Sequence, residues 1–196
     1  MLQEDSAPTI PQRAFLALGA NIRSSVGGPT ATLRAALEEL TRLGCTIVSV
    51  SPFYTTPAFP SGAGPDFANL VAQAHSSLSP HDLLALLHRV EAAFGRKRER
   101  RWGERCLDID LLAVEDQVLP DPQTHAHWRN LSVEAQQSHA PQQLVLPHPR
   151  IQDRGFVLIP WADIAPDWRH PVLGQTVAQM CEALPQAAKS GINRLK

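Results

Sequence analysis

The stretch from Arg96 to Leu112, RKRERRWGERCLDIDLL, restricts the folding options of this chain more than any other segment. Its second half alternates apolar and acidic residues: Leu107, Asp108, Ile109, Asp110, Leu111, with Leu112 extending the apolar run. A period of two is a strand pattern, because side chains at i and i+2 share a face. Asp108 and Asp110 therefore project together, while Leu107, Ile109 and Leu111 pack on the other face. Two carboxylates so close repel unless a cation joins them. Hard oxygen ligands at this spacing suit Mg²⁺, and one pair can bridge two ions roughly 3.5–4 Å apart. The arginines just upstream would hold the other partner of Mg²⁺, a phosphate chain. The first reading is thus a Mg·ATP site for phosphoryl transfer. Arginine runs are more often solvated faces or nucleic-acid patches, and a lone Asp-x-Asp often marks a turn. Their conjunction, with Trp102-Gly103 set between the arginines where a large aromatic needs something to stack on, singles out a site.

Charge is concentrated there. The 196-residue chain carries a formal net charge of −1, which gives no general pull toward nucleic acid or anionic membrane. Between residues 96 and 105, however, Arg96, Lys97, Arg98, Arg100, Arg101 and Arg105 face only Glu99 and Glu104. A focused basic patch on a near-neutral protein fits a small anionic ligand better than a long polyanion. An apolar content of 43% and a charged content of 19% are those of a globular protein, and the length suits one domain with a substantial core. Cys45, Cys106 and Cys181 are far apart and odd in number, so they form neither a metal spacing nor a disulfide framework; a cytoplasmic setting is expected. The first residues, MLQEDSAPTIPQ, lack the basic start and apolar centre of a signal peptide. No apolar run approaches the ~18 residues that cross a bilayer.

Along the chain, residues 1–12 read as a loose tail and 13–196 as a single domain. Arg13–Gly19 is an expected strand ending in a Gly-Ala-Asn turn. Pro29 and Thr30 open a helix whose Leu33, Ala36, Leu37, Leu40 and Leu43 follow helical spacing until Gly44. Cys45–Phe53 alternates like one strand, a Pro/Gly-rich loop follows, and Phe67–Ser77 is the next strand. Ser79-Pro80 starts the clearest helix, with an N-cap, a proline at N1, Asp82 in the first turn and Gly95 at the end. The carboxylate strand comes next. This order, βαββαβ, predicts an α+β, ferredoxin-like antiparallel sheet with helices on one face, extended by C-terminal additions to an αβα sandwich. The polar stretch from about Asp116 to Gln143 is long for a loop and reads as a mobile flap or an insertion at about 121–141. A last helix is expected over Gln175–Leu184.

Other residues are candidates on local grounds. His148, in Pro-His-Pro-Arg, and the nearby Arg154-Gly155-Phe156 would give a second cationic wall for phosphates, or simply a surface turn. Phe67 and Asn69 share a strand face, so an aromatic and an amide could stack on and pair with a flat heterocycle. An RNA-recognition domain on the same kind of sheet would need exposed RNP aromatics, which are lacking. Another Mg-dependent nucleotidyl or phosphoryl transferase is the remaining rival.

Taken in order, these residues resemble the 6-hydroxymethyl-7,8-dihydropterin pyrophosphokinase family over about residues 13–184. The most specific match is Arg101–Leu111 (RWGERCLDIDL), supported by Leu18–Asn21 (LGAN), Ser51–Pro57 (SPFYTTP), Asp66–Asn69 (DFAN), Pro147–Arg150 (PHPR) and Arg154–Phe156 (RGF). The resemblance implies transfer of the terminal pyrophosphate of ATP to the pterin hydroxymethyl group in folate biosynthesis, releasing AMP. It implies two Mg²⁺ ions on Asp108 and Asp110, with Arg96 and Arg105 closing over the phosphates. His88, Glu91, Arg98, Arg101, Trp102, Leu111, His148 and Arg154 match ATP contacts. Phe67 and Phe156 match the aromatic pair around the pterin, with Trp102 closing the pocket and Thr56, Pro57, Phe59 and Asn69 reading its polar edge. His88 stands where well-known bacterial members carry Gln, Gln143 where some carry Arg, and the 121–141 segment is longer than usual. The implied partners are small molecules only, and the implied state is a monomer.

Overall fold

The computed structural model describes residues 10–58, 64–95, 105–132, 135 and 139–195. The expected N-terminal tail falls mostly on 1–9, outside the described residues. The chain runs β1 (Gln12–Ala20), α1 (Pro29–Arg42), β2 (Thr46–Val50), β3 (Tyr54–Thr56), β4 (Phe67–Ser76), α2 (Pro80–Ala93) and β5 (Asp108–Val114). After these come α3 (Pro122–Arg129), α4 (Gly155–Ala162), α5 (Val177–Ala183), α6 (Gln186–Lys189) and β6 (Asn193–Arg194). The sheet order is β5-β1-β4-β3-β6, with β2 also paired to β4, and the pairings are antiparallel. This is the ferredoxin-like α+β arrangement: the two helical crossovers place the first and last core strands side by side.

The strand expected over Cys45–Phe53 ends at Val50, and a second strand, β3, follows at Tyr54–Thr56 where a loop was expected. At the break, Ser51 N–H donates to Val71 O (2.9 Å) and Ser51 Oγ accepts from Val71 N–H (3.0 Å). A side chain thus takes over one ladder position just before Pro52, which has no N–H to offer. Both strands still lie along β4, so the topology is unchanged.

The strands alternate cleanly. Ala14, Leu16, Leu18 and Ala20 of β1, and Leu70, Ala72 and Ala74 of β4, face α1 and α2. Those helices bury Leu33, Ala36 and Leu40, and Leu83, Leu86, Leu87 and Val90, against them. The start of α2 is fixed as expected, Ser79 Oγ accepting from Asp82 N–H at 3.2 Å. On the other sheet face, Phe15, Val71, Leu112 and Ala113 pack against Val157, Leu158 and Trp161 of α4, with Trp168, Val177 and Met180 behind. Trp161 stacks on Trp168 with ring centroids 4.7 Å apart. This layer makes the αβα sandwich; the expected Gln175–Leu184 helix is its α5, capped by a reciprocal Thr176/Gln179 box. Leu112 is the extra residue of a β-bulge, since Phe15 pairs with Ala113 but Leu16 with Leu111.

The polar stretch after β5 is not all loop. Asp121 caps α3 through Thr124 N–H (2.8 Å), and His125 is fully buried. The segment is pinned by a bridge between Leu119 and Leu146. Among the described residues, no helix is long and apolar enough to cross a membrane.

Candidate active site

Three neighbouring strands bring the candidate residues into one row. Gly19 of β1 stands opposite Asp108 of β5 on one side and opposite Asn69 of β4 on the other. One pleat further along, Ala17 stands between Asp110 and Val71. Directly paired residues point to the same sheet face, so Asp108, Asp110, Asn69 and Phe67 share the face that α4 covers farther down. The glycine is required by space: a Cβ there would lie 2.7 Å from Asn69 Oδ1 and 3.8 Å from the Phe67 ring. Asn69 is itself held, its Nδ2 donating to Thr56 Oγ1 at 2.7 Å. That bond leaves the carbonyl end of the amide aimed across Gly19.

The carboxylate pair has the cations it needs. Arg105 Nη1 bonds Asp108 Oδ2, and Arg154 Nη1 bonds Asp110 Oδ2 at 2.7 Å. Burial alone would raise the Asp110 carboxyl, but the guanidiniums of Arg154 and Arg105 outweigh it and hold the group below the ordinary carboxylate range. Arg154 also lies over the Phe156 ring, 5.7 Å from its centroid. One guanidinium therefore joins the acidic pair to an aromatic that stays 39% exposed.

His148 behaves differently from the cationic wall expected of it. Burial, with Arg154 and Arg150 adding to it, pushes its imidazole down to about 3, so the ring is neutral. Its Nδ1 accepts from Arg150 N–H at 3.1 Å, which leaves the proton on Nε2. The positive charge in this wall belongs to the arginines, and His148 offers a neutral donor.

Not every candidate reaches this face. The side chain of Leu111 is buried in the core beneath α1 and α2. Glu91, on α2, approaches from that opposite side; it is 1% exposed and its Oε1 accepts from Ile109 N–H at 2.7 Å. In this structure it fastens the backbone of β5 between the two aspartates. His88 lies half-buried on the same helix. Pro57 sits beside the C-terminal segment, where Gly191 allows close approach. Phe59, Arg96, Arg98, Arg101 and Trp102 lie outside the described residues. One supporting residue had no assigned role in the sequence reading: Asn21. Its Oδ1 accepts from Arg105 N–H (2.8 Å), and its own N–H donates to Arg105 O (3.0 Å), so it anchors the backbone that delivers Arg105 to Asp108. The polar residue just past the Gly-Ala turn of β1 was the available signal.

Residues 15–166 match the model of the 7,8-dihydro-6-hydroxymethylpterin-pyrophosphokinase (HPPK) family. The chain belongs to this family. It is 38% identical over 185 residues to the 2-amino-4-hydroxy-6-hydroxymethyldihydropteridine pyrophosphokinase of Methylorubrum extorquens, covering 94% of this chain and 99% of that protein. It is 36% identical to the Pseudomonas aeruginosa protein of the same name, covering 94% and 97%. Among solved structures, the wild-type HPPK-DHPS of Plasmodium falciparum with pteroate superposes with a TM-score of 0.67 at 15% identity. That match spans 96% of this chain but only 46% of the larger one, and it speaks for the fold. The chain is thus a pyrophosphokinase of the HPPK family.

Proposed function

We propose that the chain transfers the terminal pyrophosphate of ATP to 6-hydroxymethyl-7,8-dihydropterin, yielding AMP and the pterin diphosphate for folate biosynthesis. The observation that carries this reading is the row Asp108–Gly19–Asn69 with Asp110 and Phe67 on the same face. It sets the acidic pair, across the intervening strand β1, beside a fixed amide and an aromatic. A flat, polar-edged heterocycle fits the second group, and the phosphates it attacks fit the first.

The donor set suits Mg²⁺: two half-exposed hard carboxylates, already charge-balanced by guanidiniums, on one face of a strand. Asp108 and Asp110 would hold two ions, which would supply charge neutralisation to the phosphate chain. Among the described residues no cluster of three or more metal-binding side chains occurs. The chain's own residues do the rest. Arg105 and Arg154 exchange carboxylate for phosphate oxygen with little movement, because guanidinium binds both in the same forked geometry. His148, carrying its proton on Nε2, donates to a phosphate oxygen. Asn69 and Thr56 read the pterin edge, with the Pro57 backbone beside them, and Phe67 and Phe156 bound its faces. The hydroxymethyl oxygen attacks the β-phosphorus in line; the new O–P bond forms as the bond to the AMP oxygen breaks, AMP leaves with that electron pair, and the hydroxyl proton passes to solvent. Positioning and charge neutralisation supply most of the acceleration in such transfers. On this reading the chain from about residue 13 acts as a monomeric, single-domain cytoplasmic enzyme on two small molecules.

The test is a product assay with Mg·ATP and 6-hydroxymethyl-7,8-dihydropterin that resolves AMP from ADP. Pterin-dependent AMP with equimolar pterin diphosphate is expected. ADP would make the chain a simple kinase, and pterin-independent turnover would remove the acceptor assignment.

A further inference from the structure

The polar segment after β5 buries a histidine whose placement the reaction scheme does not use. His125 of α3 is fully buried, and its Nε2 lies 3.0 Å from Pro147 O. A carbonyl only accepts, so Nε2 carries the proton and donates. Pro147 O belongs to the peptide unit that leads into His148. The N–H of that same unit donates to Leu112 O, on the bulge of β5, at 2.7 Å. The peptide plane in front of His148 is therefore held from both edges, by the sheet on one side and by α3 on the other. Fixing that plane fixes the direction in which His148 leaves the backbone.

A second imidazole backs the first. His170 is also fully buried, its ring centroid 5.7 Å from that of His125 at 64°. Its Nδ1 accepts from Val172 and Leu173 N–H, both at 3.2 Å, so its proton too is on Nε2. His170 Nε2 and His125 Nδ1 have no hydrogen-bond partner among the described residues. One is an N–H and the other a lone pair, but no hydrogen bond joins them. The tautomer of His125 is fixed by Pro147 O, which only accepts.

We infer that His125 is a positioning residue for the transfer reaction: it orients the Pro147–His148 peptide, and through it the donor His148 presents to the phosphates. This rests on the function proposed above. Helix α3 is then a brace behind the proposed site, reaching the chemistry through one hydrogen bond.

The test compares His125→Gln with His125→Asn. A Gln side chain places its amide N–H near the imidazole Nε2 position; an Asn amide ends near Nδ1, short of Pro147 O. The readouts are kcat, KM for ATP, KM for the pterin, the melting temperature, and the ¹⁵N shifts of the His148 ring. The Gln variant is expected to stay near wild type. The Asn variant should lose about ten-fold in kcat/KM for ATP, the scale of a slight misplacement, with pterin KM little changed. Its His148 ring should also leave the single Nε2–H tautomer. Equal kinetics and equal His148 spectra in the two variants would overturn the inference, whatever their melting temperatures. If wild type itself yields no pterin-dependent AMP, the proposed function fails. The His148 spectra of the two variants still decide the positioning role.

Discussion

The two ends of one sheet face are built from the same strands to opposite purposes. At one end Phe15, Val71, Leu112 and Ala113 lie under α4 and the Trp161–Trp168 stack, and they are essentially closed to water. At the other, Gly19, Asn69, Phe67, Asp108 and Asp110 occupy the next pleats of the same three strands and make up the proposed site. On β1 the change takes only a few residues, from Phe15 to Gly19. The lesson is that the period of two delivers residues to a face, but the helix layer decides where that face is core and where it is site. Stability and catalysis should therefore separate along the strands.

The sharpest break is Asp110→Ala. It should cut turnover by about 10³-fold, the scale of losing a major electrostatic contact to the reacting groups, while the protein melts within a few degrees of wild type. Near-normal turnover would remove the acidic pair from the mechanism. At the closed end, Trp161→Ala should do the reverse, costing about 3–5 kcal/mol by the cavity it leaves. Turnover per folded molecule should stay intact; a lost kcat without a lower melting temperature would collapse the distinction between the ends. Gly19→Ala probes the boundary. Its Cβ would meet Asn69 Oδ1 at 2.7 Å, so the amide must turn. The pterin KM should rise by about ten-fold, as for a disturbed polar contact of 1–2 kcal/mol, with stability nearly unchanged; an unaltered KM would mean Asn69 does not read the acceptor.

The last comparison concerns acid. Burial pushes His170 down to about 4 from its ordinary 6.5, because the fold must keep it neutral. Below pH 6.5 the unfolded chain binds a proton that the folded one refuses. The stability this site contributes is therefore full above pH 6.5 and is lost as pH falls toward about 4. His170→Asn keeps an acceptor near the Nδ1 position without the titration. It should flatten the fall of stability between those two pH values, measured by denaturant unfolding at each pH; an unchanged slope would place the titration elsewhere.

Much of this could be read from the sequence, and the limits have physical reasons. α2 announces itself through Ser79, Pro80, Asp82 and Gly95, all local signals, and β5 through its alternation. The same period put Asp108 with Asp110, and Phe67 with Asn69, on shared faces. What it could not give was the register between strands, which sets Gly19 between Asp108 and Asn69. α4 escaped because GFVLIPWA is apolar on every side and carries Pro160, so it shows no helical period although it packs as a helix. α3 escaped because only His125 of its residues is buried, leaving a polar stretch with no apolar stripe. The break between β2 and β3 depends on a serine hydroxyl standing in for a backbone group, which composition does not reveal. In sequence His148 reads with Arg154 as a cationic wall or a surface turn; the closeness of Arg154 and Arg150, added to burial, is what keeps it neutral.

The bulge at Leu112 has a consequence for redesign. A regular ladder would be the obvious way to stiffen β5, and deleting the extra residue the obvious edit. Yet Leu112 is the residue whose carbonyl takes the His148 N–H. The irregularity is the rivet between the sheet and the loop that carries His148, and a tidier strand would come loose from the part of the molecule it has to aim.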